Sequence, residues 1–280
     1  MAVEPVMIKV IAWNIARREE AWRLLLDGNA DIALLQEAAP PPADVAARLE
    51  VDPAPWRTAG AGLNRPWRVA IAKLSHRVEV EWLEAKPLED ARPGELAVSR
   101  PGTLAAAKVY APNAEPFVVA SMYAPWEKPH AGTGSSWIHA DGSAHRLLSD
   151  LSLLIGQQTG HRILAAGDLN ILHGYGEGGS PYWANRYATV FDRMTALGLP
   201  FVGPQAPDGR RAEPWPEELP QDSKNVPTYY TSHQTPVTAT RQLDFVFASN
   251  SLSERVFVTA LNEPDQWGPS DHCRVVIEIV

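Results

Sequence analysis

Apolar positions along the chain follow two rhythms. Short, nearly continuous runs rich in β-branched and aliphatic residues recur as MIKVIAW (7–13), DIALLQE (31–37), WRVAIAK (67–73), FVVASMY (117–123), RILAA (162–166), QLDFVFA (242–248) and CRVVIEIV (273–280). Their length and composition predict strands, several of them apolar on both faces. VEVEWLE (78–84) and LAAAKVYA (104–111) alternate in part and read as two more. Elsewhere the period lengthens. In 141–158, Ala144, Leu147, Leu148, Leu151, Leu154 and Ile155 fall at helical spacing, with Asp141 placed as N-cap and Gly160 as the stop. Further helices are predicted over 18–29, 42–50 and 184–198. Strands outnumber helices, and the order lacks the strict alternation of a doubly wound parallel sheet; the class is α/β (α+β).

Polar side chains punctuate the strand ends. Asn14 follows the first run, Glu37 closes the second, Tyr123 closes SMY, and Asp168 and Asn170 follow ILAAG; Asp244 lies inside QLDFVFA, and Asp271 and His272 precede the last run. Each has a plain structural reading. Asn14 can cap the following helix, Asp168 and Asn170 can form an Asx turn, Tyr123 can be an anchored core aromatic, and Asp271-His272 can be a surface turn. Glu37 and Asp244 fit such readings less well. A carboxylate in or against an apolar strand carries a desolvation cost unless a cation or several donors compensate it. The same residues can serve phosphoester chemistry. Carboxylate oxygens suit hard Mg²⁺ or Mn²⁺, Asp168 can accept a proton, and Asn170 and His272 can donate to phosphate oxygens. Acids around His272 favour its imidazolium form.

Composition narrows the class without choosing a substrate. At 280 residues, 45% hydrophobic and 21% charged, the chain reads as one globular domain, 1–280. The N-terminus lacks the layout of a secretory signal, and no run approaches about 18 uninterrupted apolar residues. No transmembrane segment and a cytoplasmic location are therefore expected. One cysteine, Cys273, excludes an internal disulfide and any multi-cysteine zinc site. The net charge of −8 argues against a duplex binder that grips mainly through a pervasive basic surface. Carboxylates of a metal site would nevertheless be offset locally by their cations. Many of the 25 prolines and 19 glycines gather in 125–143, 173–182 and 203–227, long irregular stretches of the kind that carry function.

In order, WNIA, LLQEA, the Tyr-x-Pro of SMYAPWE, GDLN, QLDFVFAS and PSDH resemble the motif series of the endonuclease/exonuclease/phosphatase (DNase I-like) superfamily, from residue 13 to residue 272. The resemblance implies a four-layer α-β-β-α sandwich, two mixed β-sheets packed face to face with helices outside and an active site at one edge. It implies a metal-dependent hydrolase of phosphate esters. By position, Glu37 becomes the principal metal carboxylate with Asn14 beside it and Asp271 in support. Asp168 orients or deprotonates the attacking water, Asn170 and His272 contact the phosphate, and Asp244 orients His272 or adds to the metal site. Tyr123 is similar to the tyrosine of the exodeoxyribonuclease III-like branch. Three positions depart from the pattern. Asn14-Ile15-Ala16 lacks the second amide or acid of the first motif, Trp126 stands where an asparagine is usual after Tyr-x-Pro, and Arg241 is displaced by one from the usual Arg-Ile-Asp.

The segments 126–145 and 171–186 follow two of these motifs and should border the site. They hold Trp126, Trp137, Trp183 and Arg186 as candidate substrate-binding residues, alongside Tyr182, Lys128 and several histidines. Aromatics interleaved with cations can stack exposed bases and hold phosphates; packing within a long loop is the competing reading. The leading expectation is a Mg²⁺- or Mn²⁺-dependent nuclease that cleaves DNA or RNA phosphodiesters and prefers single-stranded, flexible or terminal substrates. The alternative is a phosphatase or phosphodiesterase of a small phosphorylated molecule or phospholipid headgroup.

Overall fold

Most strands lie where apolar runs end on polar residues, and the burial of those runs explains the architecture. The computed structural model describes residues 7–58, 65–93, 95–127, 140–155 and 160–280. The first third holds β1 (Ile8–Asn14), α1 (Glu19–Leu26), β2 (Ile32–Ala38), α2 (Ala43–Ala46), β3 (Glu50–Val51) and β4 (Arg68–Lys73). The middle holds β5 (Glu79–Leu83), β6 (Ala85–Pro87), β7 (Leu96–Val98), β8 (Leu104–Tyr110), β9 (Phe117–Tyr123), α3 (Ala140–Leu151) and β10 (Ile163–Asp168). The last third adds α4 (Pro181–Ala196), β11 (Phe201–Gly203), β12 (Asp244–Ala248), α5 (Asn250–Ser253), β13 (Val256–Leu261) and β14 (Arg274–Ile279).

Two mixed six-stranded sheets result, ordered β13-β14-β1-β2-β4-β3 and β11-β12-β10-β9-β8-β5, with β6 and β7 as a separate parallel pair. Their inner faces make one core. Val10, Ala12, Ile32, Leu34 and Ile71 of the first sheet pack with Ala107, Val119, Leu164, Ala166 and Val246 of the second. The alternate residues face outward and are also covered: Ile11, Trp13, Ala33 and Leu35 by α1, and Ala120, Met122, Ala165 and Phe245 by α3 and α4. Burial on both faces is why the strand sequences read as continuous apolar runs. This is the four-layer α-β-β-α sandwich.

Two local departures have clear causes. The helix expected over 42–50 stops at Ala46, and Glu50–Val51 instead pairs with β4. The cause is Asp52, whose carboxylate takes the Ile71 N–H at 2.8 Å and pairs with the buried Arg68 guanidinium at 2.8 Å, drawing the chain into the sheet. Asp141 lies within α3, where it pairs with Arg186, so it is not the cap. Among the described residues no helix is long and apolar enough to cross a membrane.

Candidate active site

One edge of the sandwich collects the polar strand ends. In the second sheet Asp168 stands in register with Tyr123 on the parallel strand β9 and with Asp244 on the antiparallel strand β12. In the first sheet Asn14 stands opposite Gln36, one residue before Glu37. The two rows meet where Asn14 Nδ2 donates to Asp168 Oδ2 at 3.0 Å and the Tyr123 hydroxyl donates to Glu37 Oε1 at 2.9 Å. Gly167 sets the spacing of β9 and β10. At φ +153, a Cβ there would fall 1.9 Å from the Met122 carbonyl oxygen, so any side chain would push Asp168 away from Tyr123.

Backbone strain concentrates at this edge. Ala16, Arg17, Glu37 and Asn170 are four of the five non-glycine residues with positive φ among those described. At Glu37 the pairing of β2 with β4 slips between Leu35 and Ala38, which frees this residue from the ladder. Asn170 closes an Asx turn, its N–H donating to Asp168 Oδ1 at 2.9 Å while Nδ2 reaches Asp168 Oδ2 at 3.2 Å. The turn and the chemical arrangement are thus one structure. Left-handed conformations at such residues cost about 1–3 kcal/mol each and persist where surrounding bonds enforce them.

The innermost group is His272. Its Nδ1 donates to Asp244 Oδ2 at 2.8 Å, and its Nε2 lies 3.8 Å from Asp168 Oδ2. All three side chains are buried. Burial alone would lower the His272 pKa, but Asp244, Asp168 and Asp271 together outweigh it and hold the imidazolium up to about 10. Burial raises Asp168 to about 7; the His272 charge opposes that rise and Asp244 adds to it. A protonated imidazole therefore faces a carboxylate that changes state near neutrality.

Several residues that sequence reasoning passed over hold this cluster. Thr228 Oγ1 accepts the N–H groups of Leu243 and Asp244, Ser270 Oγ donates to the Asn14 carbonyl, and Trp13 Nε1 donates to the His272 carbonyl at 2.9 Å. The Tyr229 ring lies 4.8 Å from the His272 ring. Thr228 and Tyr229 sit just beyond the proline-rich stretch 203–227, in irregular chain where periodicity carries no signal. Trp13, in WNIA, and Ser270, in PSDH, lie within the motifs and were the legible hints.

The Glu37 side differs in kind. Glu37 is half-buried, and among the described residues its second oxygen lies 3.6 Å from Arg17. Burial, then the neighbouring Glu37 charge, keeps Tyr123 a neutral phenol, its pKa well above the usual value. Asp271 is half-buried and its Oδ1 takes a 3.4 Å bond from Ser270. Among the described residues no group of three or more histidine, cysteine, aspartate or glutamate side chains forms a ready-made metal cage. Of the residues expected to hold a metal, Glu37 and Asp271 offer half-buried carboxylates of the kind a hard cation that keeps several waters could take, while the Asn14 Oδ1 already accepts the Ala16 N–H at 3.0 Å.

The substrate-binding expectations divide. Trp126 is exposed, with its indole N–H donating to Asn170 Oδ1 at 2.7 Å. Trp183 is buried in the core and stacked on Tyr187, so it packs α4 and does not present a face to a base. Arg186 is committed to Asp141 at 2.5 Å and to the Tyr182 hydroxyl at 2.9 Å, tying α4 to α3. Trp137 lies outside the described residues, as do Lys128, His130 and His139.

Fold and site together define the class, a DNase I-like sandwich with its polar residues gathered at one edge. The model of the Endonuclease/Exonuclease/phosphatase family matches residues 11–272, and the chain belongs to that family of phosphoester hydrolases. A comparison with curated protein sequences finds no match. Among solved structures, the chain is similar to an AP endonuclease from Archaeoglobus fulgidus (TM-score 0.62, 17% identity, covering 97% of this chain and 99% of that one). It is also similar to the AP endonuclease LMAP from Leishmania major (0.62, 15%, 98% and 87%). A third is the endonuclease domain of TRAS1, a telomere-specific non-LTR retrotransposon (0.60, 18%, 98% and 98%). At these identities the likeness concerns the fold.

Proposed function

We propose that the protein is a divalent-metal-dependent phosphodiesterase that hydrolyses nucleic-acid strands by water attack. One observation carries the reading. A buried Asp168 carboxylate, held by the amides of Asn14 and Asn170, faces an imidazolium that Asp244 keeps charged. An acceptor poised near pH 7 beside a fixed cation suits general-base catalysis next to a phosphate.

In this reading the water oxygen bonds to phosphorus, its proton passes to Asp168, and the bond from phosphorus to the leaving oxygen breaks, that oxygen then taking a proton from solvent. His272 donates from Nε2 to a non-bridging oxygen, and Asp244 fixes its ring and charge. Asn170 orients Asp168, its N–H and one Nδ2 hydrogen both donating to that carboxylate while the other Nδ2 hydrogen goes to the Ala124 carbonyl. Glu37, with Asn14 and Asp271, would hold Mg²⁺ or Mn²⁺, which supplies charge neutralisation on the phosphate when bound. Tyr123 steadies Glu37. Nucleic acid is favoured as substrate by the exposed Trp126 beside Asn170 and by the likeness to three endonucleases.

The test is a Mg²⁺ and Mn²⁺ activity panel of single-stranded and duplex DNA, RNA, inositol phosphates and sphingomyelin, with Asp168→Ala and His272→Ala as controls. Cleavage of nucleic acid that both variants lose is expected. Turnover of only a small phosphate ester would overturn the substrate assignment, and full activity in either variant would overturn the mechanism.

A further inference from the structure

Beside Glu37 lies a second cluster that the hydrolytic reading leaves unused. The Trp67 ring packs edge-on against Tyr123, with centroids 5.5 Å apart. The Arg65 guanidinium lies 4.5 Å from the Trp67 ring centroid and that of Arg17 lies 5.8 Å from it. Two like charges against one indole call for a counter-charge. Glu37 provides it for Arg17 alone, at 3.6 Å, and Arg65 has no carboxylate partner among the described residues. On a chain of net charge −8, such an uncompensated cationic spot at the cleft rim is out of character.

The backbone holds Arg17 firmly in this position. Ala16 and Arg17 both adopt left-handed φ, and the Arg17 N–H donates to the Glu37 carbonyl at 2.9 Å. Strain kept by bonds to the principal site carboxylate's own backbone ties this loop to the chemistry. Trp67 in turn limits where the guanidinium groups can go, because cation–π attraction holds them over the ring with their N–H edges left to other acceptors.

We propose that Arg65 and Arg17, mounted on Trp67, form an anion subsite for a phosphodiester flanking the scissile one. The inference rests on the nuclease reading and deepens it, because a small ester with a single phosphate has nothing to place there. The substrate class is therefore a polynucleotide strand, gripped at two phosphates on the Glu37 side of the cleft. A guanidinium is suited to that contact, since its planar donors match phosphate oxygens pairwise.

The test is binding of a fluorescent single-stranded oligonucleotide to catalytically inert Asp168→Asn protein, by anisotropy across a series of salt concentrations. With Arg65→Ala added, the slope of log K against log salt should become shallower, and with Arg17→Ala as well the total change should reach about 0.7, the one phosphate contact on a single strand. Arg65→Lys keeps the charge and should restore most of the slope; thermal melts of each variant check folding. An unchanged slope in folded Arg65→Ala protein, with the parent still binding, overturns this subsite alone. Wild-type protein that neither binds nor cleaves the oligonucleotide overturns the nuclease reading, and the subsite with it.

Discussion

The two walls of the cleft are built on opposite principles. On the Asp168 side, His272, Asp244 and Asp168 are buried and interlinked, with the Asn170 N–H on Asp168 and the Thr228 hydroxyl on the Asp244 N–H. On the Glu37 side, the carboxylate is half-buried, one oxygen faces a guanidinium 3.6 Å away, and the backbone beneath it is strained. Burial fixes charge states and directions, which proton transfer needs. Partial exposure allows ligands to exchange, which a hydrated cation and a departing product need. In the proposed mechanism these demands fall on different strand ends, which meet through the Asn14–Asp168 and Tyr123–Glu37 hydrogen bonds.

The sharpest way to break this contrast is Asp168→Asn, which keeps the shape and removes the proton acceptor. A loss of roughly 10²–10⁴-fold in kcat is expected, measured at saturating metal and substrate. Asp244→Asn comes next. It removes the charge that holds His272 protonated, so the imidazole pKa should fall from about 10 toward its ordinary value, read by NMR titration of the metal-free protein. The linkage has a definite sign. Because the folded pKa lies above the unfolded one, the stabilisation from His272 is full below about pH 6.5 and is lost as pH rises through about 10. Denaturant melts in chelator should show that decline in the native chain and a flatter profile in Asp244→Asn.

On the other wall, Glu37→Gln should raise the Mg²⁺ concentration for half-maximal activity roughly tenfold while leaving the His272 titration in place, as a metal titration of activity would show. Movement of both would mean the walls are not separate. The smallest effect is expected from Trp126→Phe, which deletes only the indole N–H bond to Asn170. A net hydrogen bond of about 0.5–1.5 kcal/mol limits the change in kcat/KM to roughly two- to tenfold.

This division also explains what the sequence disclosed. Strands buried on both faces announce themselves as apolar runs, so β1, β2, β9 and β10 were readable nearly to the residue. The edge strand β13 was not, since Val256, Val258 and Ala260 point inward while Phe257 is exposed, blurring the pattern. Polar residues ending apolar runs marked Asn14, Glu37, Asp168 and Asp244. What stayed hidden depends on contacts between distant segments. Thr228 reaches Asp244 from an irregular stretch, and nothing local reveals the bond. Trp183 and Arg186 were ambiguous for the same reason, because an aromatic and a cation in such a segment look alike in sequence whether or not they pack, as these do, on Tyr187 and Asp141. The slip that frees Glu37 from the ladder has no signature in composition.

Trp13 and Ser270 join the two ends of the chain at the site. The Trp13 indole holds the His272 carbonyl, and the Ser270 hydroxyl holds the Asn14 carbonyl. These bonds span 259 and 256 positions of a 280-residue chain. Bonds of that separation carry a large loop-closure cost, so the site assembles only with the fold as a whole. A chain in which either sheet is still open holds the residues of the site without their arrangement.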